Sequence, residues 1–369
     1  MLRVYGNNRT IIWVEIWEYL PQTWKATISV SPTIPLSLID FCTIYPGETN
    51  GESMIRSVDL AQRAEQFGYS RIWYSEHHNM PSIASSAPAV LISHIGAKTE
   101  KIRLGAGGVM LPNHSPYVIA EQFGTLAELY PERIDLGLGR APGTDMNTLG
   151  RALRRDGNAA EHFPQDVLEL DGYLKGRSKI PGVSAIPGAN TNVPLYILGS
   201  SMFGATLAAQ LGLPYSFASH FAPTHLERAV DYYRANFQPS ETLSEPYVIA
   251  AVNVIAAETT EEAKDQQHRV HRHRVRAMVG RGRSFSDMEL DAIIASQQGQ
   301  QIIDMMRFSG VGTGEQVRSY LEEFTATAQA DELMVSLQAT SHEEVLRSMS
   351  ILADVWGLDP AHTAGAPGA

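Results

Sequence analysis

The feature that most constrains this sequence is a repeated alternation of short β-rich runs with longer helical patterns. The β-rich runs predict strands at 34–41, 70–75, 101–107, 133–138, 194–198, 215–218, 247–256 and 332–337. Helical periodicity predicts helices at 52–67, 87–97, 118–129, 159–173, 202–211, 225–236, 259–276 and 342–355. Strand followed by helix is the pattern of a parallel sheet, and this number of units favours a closed (β/α)8 TIM barrel over an open doubly wound sheet.

Segments that do not fit this alternation define the rest of the predicted organisation. Residues 33–358 form the predicted barrel, and residues 1–32 and 359–369 are predicted to be an N-terminal extension of unclear role and a flexible tail. Two insertions are expected inside the barrel, a Gly/Pro-rich one at 176–193 and a longer one at 277–314. Because long loops of a compact domain are usually functional, we expect the second insertion to close the active site from water.

Composition excludes several classes of partner. The net charge of −11 argues against nucleic acid, since phosphate binding needs clustered positive charge. The single cysteine, Cys42, excludes an internal disulfide and fits a reducing cytoplasm. No apolar run approaches the roughly 20 residues that cross a bilayer, so no membrane partner is expected. We therefore expect a cytoplasmic protein that acts on a small molecule.

Chemically versatile residues follow the predicted strands at the point where each strand ends. In a (β/α)8 barrel the loops at this end of the strands build the active site. The residues selected by this rule, which we expect to face one pocket, are Glu76, His77 and His78 after the second strand, Gly107 and Gly108 after the third, Arg140 after the fourth, Ser200 and Ser201 after the fifth, and His220 after the sixth.

These residue types predict a planar cofactor that carries a phosphate. Gly107 and Gly108 would let a flat ligand approach the backbone. Arg140 supplies a planar cation suited to phosphate. Ser200 and Ser201 begin a helix whose free N–H groups attract an anion. Flavin mononucleotide (FMN) satisfies both requirements.

Four segments together resemble one known family. EHHN at 76–79, GAGGVMLPNH at 105–114, EQ at 121–122 and RIDLGLGR at 133–140 are similar to the bacterial-luciferase-like flavin monooxygenases, in particular to their single-polypeptide members. The resemblance extends over residues 34–355 and so covers most of the chain.

The resemblance implies a barrel that binds FMN as FMNH2 supplied by a separate reductase. Oxygen would add to the flavin C4a, and the resulting (hydro)peroxyflavin would insert one oxygen atom into a small organic substrate, in a natural-product pathway for example. It implies that His77 is catalytic, that the Gly107–Gly108 peptide is cis beneath the flavin ring, and that Arg140, Ser200 and Ser201 bind the phosphate. We also expect Glu76 to contact the cofactor. A homodimer packed through the helices after strands two and three is implied as well.

Three alternatives remain open for the function of the pocket. Hydride transfer with the deazaflavin F420 occurs on related barrels, and a non-catalytic flavin-binding protein would need the same residues. Glu76, His77 and His78 could form a metal site, but adjacent residues rarely converge on one ion and no distant ligand set is visible, so we expect no metal.

A basic run at 268–276, HRVHRHRVR, is the sharpest charge feature of the sequence. We interpret it as the solvated face of a helix. The alternative is a basic edge of the active site that meets an anionic substrate or the flavin phosphate.

Overall fold

The computed structural model describes residues 34–145, 147–280, 283–361, 365 and 367. The predicted extension at 1–32 lies outside the described residues. The described strands are β1 (Leu36–Asp40), β2 (Arg71–Tyr74), β3 (Arg103–Met110), β4 (Ile134–Gly139), β5 (Leu195–Gly199), β6 (Tyr215–Phe217), β7 (Val248–Ala256), β8 (Ser309–Gly312) and β9 (Glu332–Leu337). The α-helices are α1 (Asn50–Phe67), α2 (Pro88–Gly96), α3 (Pro116–Leu129), α4 (Phe163–Leu174), α5 (Met202–Leu211), α6 (Leu226–Asn236), α7 (Thr260–Val279), α8 (Asp287–Ala295), α9 (Gln297–Asp304), α10 (Gly314–Ala328) and α11 (His342–Trp356).

The strands form a closed parallel barrel. β1 to β7 pair in sequence order, β7 pairs with β9, and β9 pairs with β1, so the ring has no free edge. The predicted (β/α)8 barrel is therefore confirmed, and its eighth strand is β9. None of the helices that the structure describes is long and apolar enough to cross a membrane.

The segment between α7 and β9 contains more structure than the sequence pattern predicted. α8, α9 and β8 lie inside the predicted insertion, and β8 pairs with the last four residues of β7, outside the ring. α10 was missed, although Thr313 and Gln316 form the reciprocal cap that marks a helix start. The insertion is thus largely a pair of helices and a strand.

Charged side chains cross the interior of the barrel beneath an apolar layer. Arg71 on β2 binds Asp135 on β4 and Glu332 on β9, and Arg103 on β3 also binds Asp135. These four side chains are at most 7% exposed, so each charge needs its partner to offset the loss of hydration. A cluster of buried residues packs next to this charged layer, namely Trp73, Tyr196, Ile249, Ala251 and Met334.

Candidate active site

A cavity of about 270 Å³, called the first cavity below, opens at the carboxyl ends of the barrel strands. It is bordered by residues from all eight strands of the ring or the loops that follow them. Of the sequence-predicted residues, it brings together His77, Gly107, Gly108, Arg140, Ser200, Ser201 and His220. Glu76 and His78, which the same rule selected, border neither this cavity nor the second one described below.

The sequence predicted that the third strand ends at residue 107. β3 instead continues to Met110, so Gly107 and Gly108 lie within the strand. The register between β3 and β4 shifts between Ala106 and Val109, and the Gly107–Gly108 peptide is cis, as the resemblance implies. A Cβ atom on Gly108 would lie 2.6 Å from the carbonyl oxygen of Gly137, and one on Gly107 would lie 2.9 Å from Trp73 Cβ. Packing against neighbouring strands therefore requires glycine here, and the bare peptide borders the cavity.

The loops after β4 and β5 give the first cavity a region that is suited to an anion. Arg140 is exposed, and its guanidinium carbon lies 4.0 Å from the ring centroid of Phe203 on α5. Arg140 has no carboxylate partner in the part of the chain that the structure describes. Ser201 is the N-cap of α5 but its side chain caps no N–H group, so the first amides of this helix stay available to a ligand.

Glu76 takes a different position from the one predicted. It borders neither cavity described here, and its carboxylate is 1% exposed. Four groups surround its two oxygens: the amide of Met110 at 3.0 Å, Asn113 Nδ2 at 3.2 Å, and the Nε2 atoms of His78 and His114, both at 2.9 Å. Burial raises the pKa of Glu76, but these hydrogen bonds outweigh burial and lower it to about 2. Glu76 thus anchors the loops after β2 and β3 instead of reaching the cavity.

His77 reaches the cavity from the loop after β2. Its Nδ1 lies 2.9 Å from Ser75 Oγ, which leaves Nε2 as the ring nitrogen available to a ligand. Burial lowers the pKa of His77 and the charge of Arg274 lowers it further, while Glu76 opposes both. The ring is therefore neutral at pH 7 and can accept a proton. Among the described residues, no cluster of His, Cys, Asp and Glu has an arrangement that could hold a metal ion.

A second cavity, of about 340 Å³, adjoins the first. The two share Phe41, His77, His220 and Phe221 as their common wall. His220 is 7% exposed, and neither ring nitrogen has a hydrogen-bond partner among the described residues. Burial, and then the charges of Arg274 and His77, lower the pKa of His220 to about 3. The insertion at 277–314 was predicted to close the active site from water. Two of its residues, Ala277 and Met306, border the second cavity, and none of its described residues borders the first cavity.

A model of the luciferase-like monooxygenase family matches residues 39–331 of the chain. The protein belongs to this family. A luciferase-like monooxygenase from Escherichia coli is 42% identical over 325 residues, which cover 88% of this chain and 97% of that protein. The N-acetyl-S-alkylcysteine monooxygenase of Bacillus subtilis is 32% identical over 338 residues, with 88% and 91% of the two chains covered.

Solved structures agree with this membership. The crystal structure of apo-MsnO8 superposes with a TM-score of 0.79 at 33% identity and covers 89% of this chain and 99% of its own. Two more distant structures share the fold alone. One is the oxygenating constituent of 3,6-diketocamphane monooxygenase from Pseudomonas putida, in complex with FMN, with a TM-score of 0.62. The other is an F420-dependent secondary alcohol dehydrogenase, with a TM-score of 0.65.

Sequence reasoning missed two groups of this luciferase-like site. His220 was placed at the pocket without a role, and its unpartnered ring nitrogens follow only from the packing of Phe41 and Phe221 around it. Arg274 lies within the noted basic run, but the run by itself does not show which of its arginines turns toward the barrel. A helical projection combined with the positions of the acidic residues would have narrowed the choice.

Proposed function

We propose that this protein is an FMN-dependent monooxygenase, which uses reduced FMN and O2 to insert one oxygen atom into a small organic substrate. The observation that carries this proposal is the composition of the first cavity. It is lined by a bare peptide and by an arginine that has no carboxylate partner among the described residues and lies beside the open start of a helix. The names of the relatives from E. coli and B. subtilis support monooxygenation.

The phosphate of FMN would be held by Arg140, by Ser200 and Ser201, and by the first amides of α5. Arg140 has no carboxylate partner among the described residues, and its packing on Phe203 places the guanidinium beside the helix start. Hydrogen bonds between charged groups are the strong ones, so this contact would dominate cofactor affinity.

The planar ring of FMN would lie against the Gly107–Gly108 peptide. Trp73 packs behind this peptide, with its indole Nε1 3.3 Å from Asp135 Oδ2, so the surface beneath the ring is held by the charged layer of the barrel. Reduced FMN supplies the electrons with which O2 is activated. A separate reductase would deliver it.

His77 would manage the proton at the reacting centre. Its ring is neutral at pH 7, the residue borders both cavities, and Nδ1 is engaged by Ser75, so Nε2 would take a proton from the substrate or, once protonated, donate a hydrogen bond to it. Aromatic side chains, among them Phe41, Phe163 and Phe221, exclude water from this space and so limit the loss of activated oxygen as hydrogen peroxide.

The proposal is tested by supplying the purified protein with FMN, NADH and a general flavin reductase. We expect saturable quenching of FMN fluorescence and, with a panel of small acids, aldehydes and thioethers, O2 consumption linked to a product heavier by one oxygen atom. Binding of F420 in preference to FMN, with hydride transfer and no O2 consumption, would replace this assignment by the F420 alternative. Tight binding of oxidised FMN without any turnover would indicate a flavin-binding protein that is not an enzyme.

A further inference from the structure

The arginines of the basic run on α7 differ in their partners. Arg269 pairs with Asp265 and Glu344, Arg272 pairs with Asp287 and Asp291, and Arg276 lies 3.6 Å from Asp287. These three therefore serve the packing of α7 against its neighbours. Arg274 is the exception, because no described acidic side chain pairs with it.

Arg274 borders the second cavity instead of the solvent face of α7. It is only partly exposed, and its Nε is buried without a hydrogen-bond partner. None of the described residues that border this cavity is Asp or Glu. Withdrawing part of a guanidinium from water without an anion is unfavourable. Groups with such perturbed surroundings are concentrated at functional sites, where a ligand can supply the missing charge.

The rest of the second cavity carries no further positive charge at neutral pH. Burial lowers the pKa of His77, His220 and His273, so their rings are neutral there. One cation matches an anion of one charge, such as a carboxylate, better than a phosphate dianion. The unpartnered nitrogens of His220, which is 7% exposed, add hydrogen-bonding capacity at the wall between the cavities.

We propose that Arg274 binds a carboxylate group of the substrate, and that the apolar body of this organic acid extends past Phe41 and His77 into the first cavity. This inference rests on the proposed function, because it assigns the substrate class of the same site. Arg274 does not border the first cavity, so it is separate from the group of residues assigned to the FMN phosphate. The carboxylate thus fixes one end of the substrate while the other end lies beside the flavin.

The test measures binding of butanoate, octanoate and phenylacetate, each against its neutral amide, by calorimetry on the full chain with and without FMN. In the wild-type protein we expect at least one acid to bind about tenfold more tightly than its amide. Arg274→Gln should abolish this preference and leave the affinity for the amide unchanged. Arg276→Gln removes the same charge from the same helix but outside the cavity, and it should keep the preference.

The inference would be overturned if the wild-type protein bound each of the three acids no more tightly than its amide. This comparison does not depend on any variant. Unchanged acid binding in a folded Arg274→Gln protein would overturn it too, and Arg274→Met serves if the glutamine variant fails to fold. FMN binding is followed separately by fluorescence quenching. A wild-type protein that binds FMN normally but shows no preference for the acids counts against the substrate class alone. A wild-type protein that prefers the acids but does not bind FMN counts against the proposed function alone.

Discussion

Arg71 and Glu332 form a two-point ion pair inside the barrel, although 261 positions separate them in the sequence. Arg71 Nε lies 2.8 Å from Glu332 Oε1, and the second contact, from Nη2 to Oε2, is 3.1 Å. The remaining terminal nitrogen of Arg71 donates to Asp135 at 2.7 Å. Three strands of the ring are thus joined through one guanidinium. Its partner Asp135 also accepts a hydrogen bond from the indole of Trp73, which borders the first cavity.

Replacing Glu332 by Gln should destabilise the protein strongly. The change removes one charge of a fully buried pair and leaves Arg71 with Asp135 alone, and breaking such a pair costs about 3–5 kcal/mol. We expect a loss of about this size in the free energy of unfolding, measured by urea denaturation. Glu322→Gln removes a carboxylate from an exposed pair with Arg318 and should change stability by about 0.5 kcal/mol or less. Similar losses in the two variants would contradict this account of the core.

Glu76 should make stability depend on pH in the acid range. Its pKa is lowered from 4.5 to about 2 in the folded protein, so its contribution is present above pH 4.5 and is lost as the pH falls through 2. Glu76→Gln should therefore lower the free energy of unfolding by about 3 kcal/mol at pH 7, and the difference from the wild type should shrink below pH 4.5. Denaturation series at pH 7, 4 and 3 measure this. A constant difference across these pH values would show that the charge of Glu76 is not the cause.

The sequence predicted the barrel well because its signals are local. Alternation of β-rich and helical runs located all eight strands of the ring. The glycines that follow two of the helices, Gly68 and Gly212, are local signals as well, because both take the left-handed C-cap conformation that favours glycine. The sequence pattern did not predict α10, because this helix follows a short strand that pairs outside the ring. The predicted end of β3 was wrong because a bulge continues the strand through Gly107 and Gly108 to Met110.

The site was predictable to the extent that it follows from strand order. The rule that strand ends face one cavity brought His77, Arg140 and Ser200 together from separate parts of the sequence. The rule could not tell that His77 borders the cavity whereas Glu76 does not, because adjacent residues on a loop point in different directions. Which of the two is buried depends on the positions of Met110 and His114, which bind Glu76. The same limit applies to Arg274, whose role depends on where α7 packs against the rim.

Arg140→Ala should weaken FMN binding by roughly 10- to 100-fold, since a charge-assisted contact to phosphate contributes about 1.5–3 kcal/mol. Fluorescence quenching measures the affinity of each protein for FMN and, separately, for riboflavin. Riboflavin lacks the phosphate, so its affinity should change little in the variant. Arg177→Ala provides the control, because Arg177 is an exposed arginine paired with Glu241. An equal loss of affinity for both flavins would place the phosphate elsewhere.

His77→Ala should separate oxygen consumption from product formation. The variant keeps the groups assigned to the cofactor, so reduced FMN should still bind and react with O2. Without the proton acceptor at the wall between the cavities, we expect product yield to fall by about 100-fold or more and hydrogen peroxide to account for the O2 consumed. His94→Gln changes an exposed histidine of α2 and should leave both quantities unaffected. Full product yield from the alanine variant would remove His77 from the mechanism.

The helices after strands two and three should form the contact of the proposed homodimer. Val90 on α2 is 72% exposed, and Leu129 and Val118 on α3 are 57% and 41% exposed, so apolar surface is available on both elements. Exposed apolar side chains on these two helices would be buried if two copies packed through them. We therefore expect a dimer in sedimentation, and expect Val90→Glu combined with Val118→Glu to give a folded monomer, because two charges would be buried at the contact without partners.

Met288→Glu changes an apolar residue of α8 that is 82% exposed and should leave the dimer intact. A dimer that survives the double change would place the contact on another face, and a monomeric wild-type protein would exclude the contact altogether.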